Sequence, residues 1–188
     1  RAALQLSGTT LKSNSKVGFY GYSQGGGAAG AAAELQPTYA PELNLAGAYV
    51  GAPPADLVKT IDGIDGSVLA SALAWTINGI LHYHPEFTQK IDEYMNDKGK
   101  DVLAKASNSC IGEAILGNAF TKTKDLTKTG ISLTEVLNKE PQIKSVVETN
   151  RIGKIKPAVP VRVATAIVDD TVPHKQARQL AVDWCKLR

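Results

Sequence analysis

Gly21-Tyr22-Ser23-Gln24-Gly25 joins a short apolar run to a segment of small residues. The apolar run, residues 16–21, is typical of a buried strand. Glycine and alanine dominate residues 24–36, which we expect to form a helix that packs close to a sheet and stops at Pro37. G-x-S-x-G between a strand and a helix is the sequence context of a nucleophile elbow.

The elbow predicts two chemical roles. Ser23 is the predicted nucleophile, because a serine on a sharp turn at the strand end exposes its hydroxyl above the sheet. The backbone N–H of Gln24 is the predicted oxyanion donor, because the free N–H groups of a helix N-terminus favour negative charge. Side chains at Gly21 and Gly25 are expected to clash with neighbouring backbone, which would explain both glycines. The alternative is a chance match in a glycine-rich chain.

A serine nucleophile requires a histidine base and an acid that orients it, in the chain order serine, acid, histidine. Residues 161–168 are apolar and rich in β-branched side chains, so we predict a strand there. Asp169 and Asp170 follow directly, and either is a candidate for the acid. Two adjacent aspartates are also common at a helix N-cap or in a solvated turn.

The chain contains three histidines, and none fits the role of base. His82 and His84 precede Asp169 and are expected to cap a helix or face solvent. His174 lies only five residues after Asp169, whereas a base is expected on a later loop beyond another helix. We therefore expect the catalytic histidine to lie beyond Arg188.

The rest of the chain predicts a sheet interrupted by helices. Residues 45–52 form a second expected strand, and residues 175–187 an amphipathic helix. Between them the patterns are helical, with helices expected at 68–81 and 85–95, a capping box at Ser132-Leu133-Thr134-Glu135 and a helix opening at Pro141. The predicted fold is α/β: a sheet core from residues 1–55 and 151–188, truncated at both ends, with a helical insertion at 56–150.

Composition narrows the function classes. The chain has 188 residues, 43% of them hydrophobic and 21% charged, which is typical of a soluble globular protein. A net charge of +3 with dispersed lysines does not favour nucleic-acid binding. No apolar run reaches the ~20 residues of a membrane span. No pattern predicts a cofactor or a metal site, and the start at Arg1 without an initiator methionine suggests truncation.

The two cysteines, Cys110 and Cys185, fall in the predicted insertion and in the predicted last helix. We expect them not to be bonded to each other. A disulfide needs Cα atoms within roughly 7 Å, and a helix on a face of the sheet and an insertion over one edge of the sheet would not readily allow that distance. Each is then expected to pair with a cysteine outside this sequence. The competing expectation is a single bridge between insertion and core.

Four segments together resemble the secretory lipases of fungi and actinobacteria. They are residues 21–29 (GYSQGGGAA), 35–43 (LQPTYAPEL), 47–53 (GAYVGAP) and 169–173 (DDTVP). The last is similar to the D-x-x-V-P acid loop of that family, so the resemblance assigns the acid to Asp169 rather than Asp170. It extends along most of the chain and is weakest between residues 67 and 156.

The resemblance implies an α/β-hydrolase with a helical cap, which hydrolyses acylglycerols and simpler carboxylic esters through an acyl-enzyme. It implies a secreted or cell-envelope location and a lipid or ester substrate, including one at a lipid–water interface. The segment 68–81 is the best candidate for contact with the acyl chain, although it is also expected simply to fill the cap core. The alternatives are a serine peptidase or acyltransferase on the same fold, and a non-catalytic lipid-binding relative.

Overall fold

The structure is a computed structural model that describes residues 1–187. The chain divides into two compact units, which we describe separately. The sheet unit contains Arg1–Asp56 and the chain from Arg151 onward, and the helical unit contains Leu57–Asn150.

The sheet unit contains a parallel sheet with strand order β1-β2-β3. Its elements are a 3₁₀ helix (Ala2–Gln5), β1 (Val17–Tyr22), α1 (Gln24–Tyr39), β2 (Leu45–Gly51), β3 (Val161–Ala164) and, last in the chain, α9 (His174–Lys186). Tyr20 of β1 lies opposite Tyr49 of β2, which lies opposite Arg162 of β3. Parallel strands combined with helices confirm the predicted α/β class.

Both long helices of this unit contribute to one apolar core. Ala33 of α1 and Leu180 of α9 are buried in the same cluster as Val50 of β2. Small residues allow α1 to approach the sheet closely: a Cβ atom at Gly26 would lie 2.1 Å from the carbonyl oxygen of Gly51. The glycine- and alanine-rich sequence of α1 therefore follows from its packing, despite its weak helix propensity.

Two predicted boundaries in the sheet unit are wrong. Pro37 does not stop α1, which continues to Tyr39. A proline in the last turn removes one N–H donor there, and the Gln36 side chain fastens the following loop by donating to the carbonyl oxygens of Ala40 and Leu43, at 2.9 and 3.2 Å.

The second wrong boundary is the end of the third strand, predicted at 168 and found at Ala164. Ala164 pairs with Gly51, the last residue of β2, and Ala52 then turns away with a φ of 39°. The neighbouring strand therefore ends, so residues 165–168 have no ladder to extend. Ile167 and Val168 are instead exposed, at 82% and 89%.

The helical unit is built from short helices. They are α2 (Leu57–Ile64), α3 (Ser71–Tyr83), a 3₁₀ helix (Pro85–Phe87), α4 (Thr88–Tyr94), α5 (Asp97–Ala106), α6 (Ile111–Asn118), a 3₁₀ helix (Thr123–Leu126), α7 (Leu133–Lys139) and α8 (Pro141–Thr149). One apolar cluster joins most of them and includes Leu73, Val136 and Val147, and a smaller cluster joins α3 to α5. Among the described residues, no helix combines the length and apolar character that a membrane span requires.

In this unit the predicted starts of two helices, α7 and α8, are confirmed. Ser132 and Glu135 form the expected capping box at α7: the Ser132 hydroxyl accepts from the Glu135 N–H, and the Glu135 carboxylate accepts from the Ser132 N–H at 2.8 Å. Pro141 occupies the first turn of α8. The helix expected over 85–95 is divided, because Pro85 begins a 3₁₀ turn before α4.

Candidate active site

The predicted nucleophile lies on a strained turn between β1 and α1. Ser23 has a φ of 55° and a ψ of −122°, a conformation that costs a non-glycine residue about 1–3 kcal/mol. Its N–H donates to the carbonyl oxygen of Gly51 at 2.9 Å, and its carbonyl oxygen accepts from the N–H of Gly27 at 3.0 Å. The turn is thus fastened to the end of β2 on one side and to the first turn of α1 on the other.

The glycines around Ser23 differ from the expectation. A Cβ atom at Gly21 would lie 1.8 Å from the carbonyl oxygen of Gly25, so glycine is required there. A Cβ atom at Gly25 would meet no atom within 4 Å, so the predicted clash at that position is wrong. The second close approach occurs one residue later, at Gly26, where the carbonyl of β2 passes. The spacing in the motif alone did not reveal which glycine faces the sheet.

Gln24 is the first residue of α1. The N–H groups in the first turn of a helix have no intrahelical acceptor, so the Gln24 N–H is free of the helix ladder. This is the arrangement that an oxyanion donor at the residue after the nucleophile requires.

The two candidate acids have different surroundings. Asp169 is half-buried, and its Oδ1 accepts from the backbone N–H groups of Thr171 at 3.1 Å and Val172 at 2.8 Å. Asp170 is exposed, and its carboxylate accepts from the Thr171 hydroxyl at 3.2 Å. Backbone donors therefore orient one oxygen of Asp169 rigidly, which suits a carboxylate that must hold a histidine in place.

The fold brings the two predicted residues to one edge of the sheet. Ser23 directly follows β1, and Asp169 lies five residues after the end of β3. The strands are parallel, so their carboxyl ends meet at the same edge, where ligands bind in open α/β sheets. Only β2 separates β1 from β3.

Among the described residues, no hydrogen bond joins a histidine ring to Ser23 or Asp169. The Nδ1 atom of His174 is buried and has no hydrogen-bond partner among residues 1–187. His84 directly follows α3, and its Nδ1 lies 3.1 Å from the Glu86 carboxylate. The His82 ring lies edge-on to Tyr83. In the described residues no group of three or more histidine, cysteine, aspartate or glutamate side chains is arranged to hold a metal ion.

Two buried polar side chains of the sheet unit were missed from the sequence. Gln176 donates to the carbonyl oxygen of Pro53 and accepts from the N–H groups of Ala55 and Asp56. Glu34 Oε1 accepts from the N–H of Gly153 at 2.6 Å and from the indole of Trp184 at 2.7 Å. In the sequence, only the apolar residues on the same face of each helix indicate that these polar side chains point inward.

The expected acyl-binding segment overlaps α3, and its inward side chains fill the core of the helical unit. Leu73 and Ala74 are 4% and 5% exposed. The two cavities beside α3 are small, with volumes of about 30 Å³ each. Within the helical unit, α3 thus serves as core.

The cysteines are both free and exposed. Cys110 precedes α6, where its N–H donates to the Glu113 carboxylate at 3.3 Å, and Cys185 lies in the last turn of α9.

The family model described as secretory lipase matches residues 1–188. The chain belongs to the secretory lipase family. Among the relatives of this family member, secreted triacylglycerol lipase LIP1 of Malassezia furfur is 30% identical over 188 residues, which cover 99% of this chain and 38% of the relative. Lipase 5 of Candida albicans is 35% identical over 195 residues, which cover 98% of this chain and 41% of the relative.

Two solved structures have folds similar to that of this chain. The crystal structure of Candida antarctica lipase A superposes with a TM-score of 0.83 and 28% identity, over 94% of this chain and 42% of that one. The rice cell wall degrading esterase LipA from Xanthomonas oryzae superposes with a TM-score of 0.80 over 99% of this chain and 51% of that one, and at 19% identity it supports the fold alone. The fold is that of an α/β-hydrolase, of which this chain carries part. This family member spans about 40% of the length of the curated relatives named above.

Proposed function

We propose that the full-length protein is a serine hydrolase that cleaves carboxylic esters of lipids, triacylglycerols among them. The observation that carries the proposal is the strained Ser23 between β1 and α1, in a chain that belongs to the secretory lipase family. The relatives named above are called triacylglycerol lipases or lipases, which favours a lipid ester over a peptide as substrate.

In the proposed mechanism, the Ser23 hydroxyl attacks the ester carbonyl carbon while a histidine takes the hydroxyl proton. The tetrahedral oxyanion accepts a hydrogen bond from the Gln24 N–H, one of at least two donors that such a site needs. Collapse expels the alcohol, which receives the proton from the histidine, and leaves an acyl group on Ser23. A water molecule then gives a proton to the histidine and attacks the acyl group. Collapse returns that proton to Ser23 and releases the carboxylic acid.

Asp169 is the proposed triad acid. Backbone N–H groups hold its Oδ1, which leaves its other oxygen to accept from a histidine ring N–H. We propose that this histidine lies outside residues 1–188, since His82, His84 and His174 have the surroundings described above.

The helical unit is proposed to be the cap of the hydrolase. The location proposed for the full-length protein is secreted or cell-envelope, and its partner is a lipid or ester substrate, including one presented at a lipid–water interface. A serine peptidase or acyltransferase remains the alternative, because the elbow does not select the acyl acceptor.

The test uses the full-length protein, a fluorophosphonate probe and two kinds of substrate. We expect hydrolysis of p-nitrophenyl butyrate and of a triacylglycerol emulsion, and we expect mass spectrometry of the labelled protein to find the probe on Ser23. Ser13→Ala is the control variant, because Ser13 is exposed and precedes β1; it should label like wild type. Labelling of another residue, or hydrolysis of peptides but not esters, would refute the proposal.

A further inference from the structure

A buried glutamine fastens the start of α9 to the loop that follows β2. Gln176 is 2% exposed and lies in the first turn of α9. Its Nε2 donates to the carbonyl oxygen of Pro53 at 2.7 Å, and its Oε1 accepts from the N–H groups of Ala55 at 2.7 Å and Asp56 at 3.0 Å. One side chain thus contacts three backbone groups of a loop about 120 residues away in sequence, two of which, the Ala55 N–H and the Pro53 carbonyl oxygen, also bond to each other at 2.9 Å.

The chemistry of this contact selects an amide. A loop without a strand or helix ladder leaves its buried N–H and C=O groups to be paired by side chains. A primary amide presents a donor and an acceptor on one planar group, whereas a carboxylate lacks the donor and an aliphatic side chain lacks both.

The loop that Gln176 holds also touches the nucleophile helix. A Cβ atom at Gly27 would lie 3.3 Å from the ring of Pro54, so the loop packs against the first turn of α1, four residues after Ser23. At the loop's start, Ala52 has a φ of 39° and its N–H donates to the carbonyl oxygen of Ala164 at 2.7 Å. The loop therefore lies between the ends of β1 and β3, the strands that precede the proposed nucleophile and acid.

On the acid side, the connection to Gln176 is short and rigid. Asp169 begins a turn that ends at Pro173, and only the first two residues of α9 lie between that turn and Gln176. Two backbone N–H groups that donate to Asp169 close the turn. The Gln176 N–H also donates to the carbonyl oxygen of Pro173 at 3.2 Å.

We propose that Gln176 is a positioning residue, which sets the distance between the acid loop and the nucleophile turn by clamping the 53–56 loop between them. The inference rests on the proposed function of Ser23 and Asp169. Gln176 itself is not proposed to touch the substrate.

The chain offers a matched control in Gln36, a second buried glutamine of the sheet unit. Gln36 lies near the end of α1, is 8% exposed, and donates to the carbonyl oxygens of Ala40 and Leu43. The loop it holds leads into the start of β2, at the opposite edge of the sheet. Replacing either glutamine with leucine removes a buried amide clamp, but only one clamp joins the acid loop to the nucleophile turn.

The experiment compares Gln176→Leu, Gln36→Leu and the conservative Gln176→Glu in the full-length protein, with p-nitrophenyl butyrate, well below each thermal midpoint. We expect both leucine variants to lose thermal stability. Gln176→Leu should lower kcat about 10- to 100-fold with KM within about threefold, because a displacement near 1 Å can have an effect of that size. Gln36→Leu should keep the wild-type kcat. Gln176→Glu, which retains the acceptor for Ala55 and Asp56, should have a kcat between those of wild type and Gln176→Leu.

Equal kcat values for Gln176→Leu and Gln36→Leu would overturn the positioning role while leaving the proposed function intact. A wild-type protein that hydrolyses no ester would overturn both. Should Gln176→Leu fail to fold, Gln176→Glu carries the test: a kcat equal to that of wild type then refutes the inference, and a reduced kcat at unchanged KM supports it.

Discussion

The sheet unit and the helical unit are each stabilised by side-chain hydrogen bonds, but the bonds within the sheet unit join residues that lie farther apart in sequence. In the sheet unit, Glu34 binds Gly153 across 119 residues and Gln176 binds Pro53 across 123. In the helical unit, the Asp65 carboxylate accepts from both the N–H and the hydroxyl of Thr123, across 58 residues. The two segments of the sheet unit are separated in sequence by the whole helical unit, and the candidate site lies where those segments meet.

This difference has a chemical consequence. The two turns of the candidate site are closed by local hydrogen bonds, but they are joined to distant segments, Ser23 to Gly51 and the start of α9 to the 53–56 loop, so small changes there should affect turnover strongly. The helical unit consists of short helices around an apolar cluster, and some of them, such as α5 and α7, have their own side-chain caps, so changes there should act locally on stability. The predictions below test this contrast.

The largest effect is expected at Ser23. In the full-length protein, Ser23→Ala should lower kcat for p-nitrophenyl butyrate by roughly 10⁵- to 10⁶-fold, because the attacking oxygen is lost. The thermal midpoint should not fall, since the backbone bonds of the turn remain. A variant that keeps more than a few per cent of the wild-type rate would contradict the assignment.

The next effect separates the two aspartates. Asp169→Asn should lower kcat by about 10⁴-fold, because an amide cannot stabilise the imidazolium and favours the wrong histidine tautomer. Asp170→Asn should stay within roughly a factor of two, as for a surface substitution. Steady-state kinetics of the two variants side by side give the measurement, and an equal or larger loss at Asp170 would reverse the choice.

Much of this site follows from sequence because its signals are local. The sequence patterns of β1 and of the elbow at Ser23 involve residues a few positions apart, as does the capping box at Ser132 in the helical unit. Where the decisive partner is distant, the sequence predictions fail. The third strand was predicted four residues too long because its end depends on where β2 ends, and Gln176 was missed because its partners lie on another segment.

A medium effect is expected from a pair of adjacent glycines in α1. Gly26→Ala should lower the free energy of unfolding by about 3 kcal/mol or more, since its methyl group would collide with the backbone of β2. Gly25→Ala should instead raise it by about 0.5–1 kcal/mol, because Gly25 is exposed, has open space for a Cβ atom and lies within a helix. Chemical denaturation of both variants checks the signs, and a stabilised Gly26→Ala would disprove the close packing of α1 on the sheet.

The smallest effect is expected in the helical unit, at the cap of α7. The Ser132 N–H, and secondarily the Ser132 hydroxyl, hold the pKa of Glu135 below its usual range. A carboxyl with a lowered folded-state pKa stabilises the fold above its unfolded pKa, and this contribution is lost as the pH falls through the folded value. Glu135→Gln should therefore lower the thermal midpoint by about 1–2 °C at pH 7, and the difference from wild type should shrink below about pH 4.

The control for this last effect is Asp92→Asn, which removes an exposed carboxyl of α4 that lies outside any capping box. Thermal midpoints of the three proteins across the pH range separate a cap from a general change in charge. If Glu135→Gln and Asp92→Asn follow the same pH curve, the cap contributes nothing measurable. A pH-dependent difference confined to Glu135, with kcat unchanged, would support a helical unit whose elements are stabilised locally, unlike the clamped loops of the sheet unit.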